Sequence, residues 1–155
     1  MNAQVPIRGA ASVGTIRDLN GIEAASVLYL RLWCDGAAAQ QTVRNEFAAT
    51  LGEEAGQRAL RNFEQLFALC REHGRRPLMR HGLDCQCLGA DEACFARFID
   101  TAATGEREDA MLIATLLVRV DMAPLITALA ADVGHAFLRM RPESAAPATP
   151  PRTLH

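Results

Sequence analysis

One segment of this chain, residues 80–95, has the sequence RHGLDCQCLGADEACF and separates two sets of amphipathic helical patterns. It contains three of the five cysteines of the chain, and a histidine precedes the first of them by four residues. Apolar periodicity stops over residues 73–89, and a connection of roughly 15 residues is uncommon unless it is functional or disordered. The leucines and cysteines inside it argue against disorder. We therefore expect an ordered loop that the surrounding helices hold in place.

Three helices are predicted before this loop. In each of them apolar residues recur every three or four positions, which places them on one face of a helix. The first helix is expected over residues 15–34, with Thr15 as its N-cap. The second is expected over residues 37–51, and the third from residue 53 to a stop at Gly74.

Three helices are also predicted after the loop. Asp91 is the expected N-cap of the fourth, Gly105 closes it, and Asp121 caps the sixth. The fifth is almost wholly apolar over residues 110–118, so we expect it to be central and buried on all sides. No convincing strand is found. The predicted fold class is all-α, a bundle of five to six helices with one long irregular loop, rich in cysteine and histidine, between the third and fourth helices.

The predicted organisation is a single helical domain over residues 15–140. A flexible N-terminal arm, residues 1–14, precedes it, and a disordered tail rich in proline and alanine, residues 141–155, follows it. We expect a cytoplasmic protein that does not cross a membrane, because the chain has no secretory signal pattern and no apolar run of about 20 residues. Five cysteines, an odd number, also argue against a secreted disulfide framework.

Charge and composition weigh against several classes of function. The net charge is −2, which gives no overall attraction to nucleic acid or to an anionic membrane surface. All 16 basic residues are arginine, which excludes a Schiff-base lysine and a phosphate-loop lysine. A nucleophile elbow and a glycine-rich phosphate loop are also missing. A regulatory or adaptor protein is therefore expected ahead of an enzyme, and its candidate partners are another protein or a second copy of this chain.

Four side chains form the predicted metal site: His81, Cys85, Cys87 and Cys94. One imidazole and three thiolates make a full tetrahedral set for zinc, which prefers nitrogen and sulfur ligands. We expect the N-terminus of the fourth helix to lower the pKa of the thiol of Cys94 and so favour the thiolate that binds metal. An iron–sulfur cluster is a weaker expectation, because such clusters usually take four cysteines.

The spacing His81-x3-Cys85-x-Cys87 resembles the His-x3-Cys-x2-Cys core of the zinc-binding anti-sigma factor family, whose members are also small and helical. The resemblance covers seven of the 155 residues. This chain has one residue fewer between the two cysteines, and no matching upstream histidine is found. The resemblance implies a way in which zinc can be held on a helical scaffold.

Three alternatives to a closed zinc site stay open. One is a redox sensor that uses Cys85, Cys87 or Cys94. Another is a hydrolytic zinc enzyme, in which one of the four candidates does not bind and water takes its place. The third is a plain helical interaction module, since Cys94 falls on the apolar stripe of its helix and buried cysteines act as small apolar residues. Cys70 is a reserve ligand.

A basic run stands immediately before the predicted site: Arg71, His73, Arg75, Arg76, Arg80 and His81. Guanidinium groups suit phosphates and carboxylates. The favoured interpretation is nevertheless a solvated helix end, where cations face the negative pole of the helix dipole. Asp91 and Glu92 are likewise interpreted as caps of the fourth helix.

Overall fold

The computed structural model describes residues 8–140, and most of them are helical. The six α-helices are α1 Gly21–Trp33, α2 Ala37–Leu51, α3 Glu53–His73, α4 Ala90–Ala103, α5 Arg107–Leu117 and α6 Ala123–Arg139. Short 3-10 turns occupy Arg8–Ala10, Ile16–Asp18 and Val120–Met122. The prediction of a mostly helical protein with five to six helices is confirmed.

The predicted bounds of α2 and α3 are confirmed, because strong local signals separate them. Gly36 precedes α2 with φ 103°, and Gly52 stands between α2 and α3 with φ 87°, a region that suits glycine. The start of α1 was placed too early. Asn20, not Thr15, is its N-cap, because Asn20 and Glu23 form a reciprocal capping box.

The core is built around Phe63 of α3, which is fully buried. Its ring lies 4.8 to 6.4 Å, centroid to centroid, from those of five other aromatic residues: Tyr29, Trp33, Phe47, Phe67 and Phe137. These residues come from α1, α2, α3 and α6, so a single aromatic cluster joins four helices. Helix α4 packs against α1 and α6 and completes the core.

The expectation that the fifth helix is central and buried on all sides is wrong. Helix α5 packs mainly against α4 and α6, and it buries one stripe made of Ala110, Ala114 and Leu117. Leu112 and Leu116 on its other side are 68% and 67% exposed. Apolar composition shows that a helix has a face to bury, but the number of neighbouring helices decides how much of it is covered.

A small sheet, which was not predicted, ties the N-terminal segment to the loop. Strand β1, Ser12–Thr15, pairs antiparallel with strand β2, Cys87–Gly89. The expectation of no strand is wrong here, because three or four residues are too few to show an alternating pattern. Residues 8–14 of the predicted arm thus take part in the fold. Residues 1–7 and the predicted tail, 141–155, lie outside the described residues.

None of the helices in residues 8–140 is both long enough and apolar enough to cross a membrane.

Candidate functional site at the cysteine loop

Backbone hydrogen bonds attach both ends of the loop to the rest of the fold. At its start, the amide of Arg75 donates to the carbonyl of Leu117 at 3.0 Å, and the amide of Arg119 donates to His73 at 3.2 Å. At its end, the amide of Ile16 donates to the carbonyl of Gln86 at 3.0 Å, beside the β1–β2 pair. The loop is therefore an ordered part of the structure, as expected.

A buried ion pair lies directly beneath the two loop cysteines. Arg31 of α1 and Glu92 of α4 have side chains that are 3% and 0% exposed. The guanidinium binds the carboxylate through two nitrogens, with Nε–Oε2 at 2.6 Å and Nη2–Oε1 at 2.9 Å. It also donates to the carbonyl of Cys85 at 2.7 Å and to that of Cys87 at 2.8 Å. One buried cation therefore holds the backbone of both cysteines.

Sequence reasoning missed Arg31. Its only local signal is a charged residue between Leu30 and Leu32 in an otherwise apolar part of α1. Glu92 was interpreted only as a helix cap, and it does accept a hydrogen bond from the amide of Gly89 at 3.0 Å. Its second role, as the partner of a buried guanidinium, could not be seen because 61 residues separate the two side chains.

The stability contributed by Glu92 should be lost in acid. Burial by itself would raise the pKa of Glu92, but the hydrogen bonds from Arg31 and Gly89 outweigh burial and hold the pKa below its ordinary value of 4.5. In the unfolded chain the carboxyl regains that ordinary value. The stabilisation is therefore complete above about pH 4.5 and falls as pH drops through the lower, folded-state pKa.

Urea unfolding of the wild type and of Glu92→Gln at about pH 7, 5 and 3.5 tests this dependence. The difference in unfolding free energy between the two proteins should be the same at the two higher pH values and smaller at the lowest. A difference that stays constant down to the lowest pH would contradict the assignment of the charged form to Glu92.

A second ion pair fastens the middle of the loop to the start of α4. Arg76 binds both carboxylate oxygens of Asp91, with Nη1–Oδ2 at 2.6 Å, and the amide of Met79 donates to Asp91 at 2.7 Å. A Cβ at Gly9 would lie 2.1 Å from Asp91 Oδ2, so the N-terminal segment packs closely on this pair. The prediction of Asp91 as the N-cap of α4 is wrong. Gly89 occupies that position, and Asp91 serves the loop.

His81 and Cys85 are brought together by the loop. The Nδ1 atom of His81 lies 3.8 Å from the Sγ atom of Cys85. On its other side the ring makes a hydrogen bond of 3.0 Å from Nε2 to the carbonyl of Ala10. A carbonyl can only accept, so Nε2 carries the hydrogen, and in the neutral form of the ring it is Nδ1 that is unprotonated and faces the thiol. A Cβ at Gly89 would lie 3.0 Å from the His81 ring, which shows how tightly the imidazole is seated.

The other two predicted ligands lie in different surroundings. Cys87 is exposed at the start of β2, opposite Thr15. Cys94 is half-buried in α4 and packs against the core. The expectation of a lowered pKa for Cys94 is wrong, since burial and the neighbouring Asp91 raise its pKa, and Arg76 opposes them only in part.

No group of three or more histidine, cysteine or acidic side chains in residues 8–140 is arranged to hold a metal ion. Of the four predicted ligands, the structure brings His81 and Cys85 together. The complete set of four stays a prediction. The reserve ligand Cys70 is buried, which raises its pKa to about 12. Its thiol is therefore protonated at neutral pH, the form that is unfavourable for binding a metal.

Two kinds of chemistry suit a neutral imidazole beside a thiol. Nδ1 and Sγ are both zinc donors, and Nδ1 is also a base that can accept the thiol proton. The fixed ring and the fixed backbone of Cys85 mean that the pair needs little rearrangement for either role. Comparison of the chain with protein-family models, curated proteins and solved structures gives no match, so its function has to follow from the geometry of these side chains.

Proposed function

We propose that this protein is a small metal-binding protein of regulatory or adaptor type, and that its metal is zinc. The observation that carries the proposal is the position of His81, with Nδ1 at 3.8 Å from the Cys85 sulfur and Nε2 bonded to the Ala10 carbonyl. Two ligands of one tetrahedral zinc ion, each roughly 2.0 to 2.3 Å from the metal, are separated by about this distance.

The hydrogen bond to Ala10 supports a ligand role for His81. Histidines that bind metals usually donate their second ring N–H to a carbonyl or carboxylate, which selects the tautomer and orients the ring. Here that partner comes from the N-terminal segment, which β1 holds against the loop. The order of residues 8–15 is thus connected to the proposed site, because the carbonyl of Ala10 accepts the hydrogen bond from His81.

Cys87 is the proposed third ligand. The carbonyls of Cys85 and Cys87 both accept hydrogen bonds from Arg31, so one buried side chain fixes the backbone of both residues, which are only two positions apart. The pKa of Arg31 is raised, first by its hydrogen bond to Glu92, so a charged guanidinium lies against the backbone of Cys85 and Cys87. The buried guanidinium would therefore offset part of the negative charge of two thiolate ligands. Cys94 remains the candidate for the fourth position.

The expected result of a metal analysis is about one zinc per chain in protein purified without a histidine tag. Cobalt substitution should give the charge-transfer absorption that only thiolate ligands produce. Each of His81→Gln and Cys85→Ser should weaken zinc binding by more than the roughly 10- to 100-fold that loss of an outer hydrogen-bond partner costs. Inductively coupled plasma mass spectrometry and competition with a chelating dye measure these quantities.

Cys34→Ser is the matched control, because it removes a half-buried thiol outside the loop and should leave zinc affinity unchanged. Cys94→Ser decides whether the fourth predicted ligand takes part. Less than about 0.2 equivalents of any transition metal, or equal zinc affinity in the wild type, His81→Gln and Cys85→Ser, would exclude the proposal. Melting temperatures of the metal-free variants check that the loop is still folded.

A thiol redox sensor is the second candidate, and the exposure of Cys87 favours it. His81 Nδ1 can accept the Cys85 proton, and a thiolate can be oxidised to a sulfenic acid that condenses with a nearby thiol. Mild peroxide treatment, followed by mass spectrometry, should then join Cys85 and Cys87. Full zinc occupancy with thiols that do not react with peroxide would exclude this candidate.

A further inference from the structure

A pocket of about 670 Å³ lies on one side of the loop, away from the residues proposed to bind zinc. Its walls come from the end of α1, the start of α2, the end of α3 and the first part of the loop. The volume falls in the range of roughly 300–1,000 Å³ that is usual for small-molecule sites. None of the proposed zinc ligands lines this pocket.

Four arginines line this pocket, and no acidic residue does: Arg71, Arg75, Arg76 and Arg80. Arg76 is paired with Asp91, but no carboxylate of residues 8–140 lies within 4.0 Å of the other three guanidinium groups. Arg75 and Arg80 each donate to a backbone carbonyl, those of Thr115 and Cys34, which holds them in place, and their remaining N–H groups have no partner in the part of the chain that the structure describes. In a chain of net charge −2, this is a local concentration of positive charge.

The floor of the pocket is apolar. Its lining residues that are buried or half-buried include Leu30, Trp33, Phe67 and Leu78 and two thiols, Cys34 and Cys70, whereas the four arginines are exposed. Burial raises the pKa of both thiols, to about 12 for Cys70, so both stay protonated and act as small apolar groups. An apolar floor below a rim of cations is complementary to a molecule with an apolar body and an anionic head.

We propose that this pocket binds an amphipathic small molecule whose anionic head is a phosphate or a carboxylate. The arginine rim would hold the head through charge-assisted, bidentate hydrogen bonds. The aliphatic or aromatic body would cover the apolar floor beside Trp33. The basic run before the loop was interpreted from the sequence as a solvated helix end. In the proposed complex its arginines also bind the anionic head of the ligand.

Trp33 allows a direct test, because it is the single tryptophan of the chain and lines the pocket. Titration with decyl phosphate and with decanoate, each below its micelle concentration, should change Trp33 fluorescence to saturation. Decyltrimethylammonium, which has the same chain and a cationic head, should not. Inorganic phosphate should bind far more weakly than decyl phosphate, since it lacks the apolar body. The anion that binds more tightly identifies the head group as phosphate or carboxylate.

Removal of one guanidinium should weaken binding of the anionic probes about tenfold, as expected for loss of one charge-assisted contact. Arg71→Ala is the variant of choice, because Arg71 makes no hydrogen bond or ion pair with another side chain of residues 8–140 that its loss would break. Arg61→Ala is the matched control, since Arg61 is an exposed arginine on the same helix and does not line the pocket. It should leave the affinity unchanged.

Alkylation of the cysteines gives a second measurement that needs no variant. A bound probe should slow the reaction of Cys34, which lines the pocket, and leave that of the exposed Cys87 unchanged. The proposal is overturned if neither anion binds saturably up to about 1 mM. Equal binding of the cationic probe, or equal losses in Arg61→Ala and Arg71→Ala, would overturn it as well.

Discussion

Replacement of Arg31 by methionine is expected to lower the free energy of unfolding by about 3–5 kcal/mol. The substitution leaves the carboxylate of Glu92 fully buried without its guanidinium partner, and the hydrogen bond from the Gly89 amide is retained. It also removes the donors to the carbonyls of Cys85 and Cys87, so the loop loses the two hydrogen bonds that attach its cysteine backbone to α1. Urea unfolding measures the stability change, and zinc affinity should fall in the same variant if the loop carries the metal.

The exposed ion pair Arg58–Glu54 gives the matched control, since its side chains are 60% and 90% exposed. Arg58→Met should change stability by less than about 1 kcal/mol. The double variant Arg31→Met/Glu92→Leu should be more stable than Arg31→Met alone, because no unpaired charge remains buried. Equal effects of Arg31→Met and Arg58→Met would contradict the role assigned to the buried pair.

Truncation of Phe63 to alanine is expected to cost about 3–5 kcal/mol. The ring is fully buried and contacts aromatic side chains from four helices, including α3 itself, so the resulting cavity cannot close through movement of a single neighbour. Edge-to-face contacts, such as that with Trp33 at 5.4 Å, are lost together with the buried apolar area. Chemical denaturation measures the loss, and Phe63→Leu should cost clearly less because it refills most of the volume.

Leu112→Ala is the control for this second prediction. Leu112 is a large apolar residue of α5, but it is 68% exposed and leaves no cavity when it is truncated. Its effect should stay within about 0.5 kcal/mol. A cost for Leu112→Ala close to that for Phe63→Ala would show that α5 is covered in solution, which would contradict its exposed face.

Helices α2 and α3 show where prediction from sequence works best. The bounds Ala37–Leu51 and Glu53–His73 were predicted because glycines mark their ends and apolar residues repeat every three or four positions. These signals act within one or two turns of the helix. The same kind of signal failed at α1, where Thr15 and Asn20 both suit an N-cap and only contacts of the folded chain place Thr15 in a strand.

The candidate site was predicted only in part. His81 and Cys85 stood out because they lie close together in a loop with no helical pattern to explain them. Arg31 was missed, since an arginine inside a helix is usually an exposed residue with a buried stem. Its burial depends on a carboxylate 61 residues further along the chain, a distance over which no local pattern extends.

Local pattern was therefore sufficient for a bundle of five to six helices, for the bounds of α2 and α3 and for the position of the cysteine loop, because helical periodicity and capping act between near neighbours. Tertiary structure alone decided which charges are buried together, how β1 reaches the loop and which face of α5 stays exposed. It also gathered around an apolar floor three guanidinium groups that have no carboxylate partner within residues 8–140. The physical reason is that the burial of a charge and the pairing of distant strands depend on contacts between segments that lie far apart in the sequence. Those contacts form only when the whole chain packs.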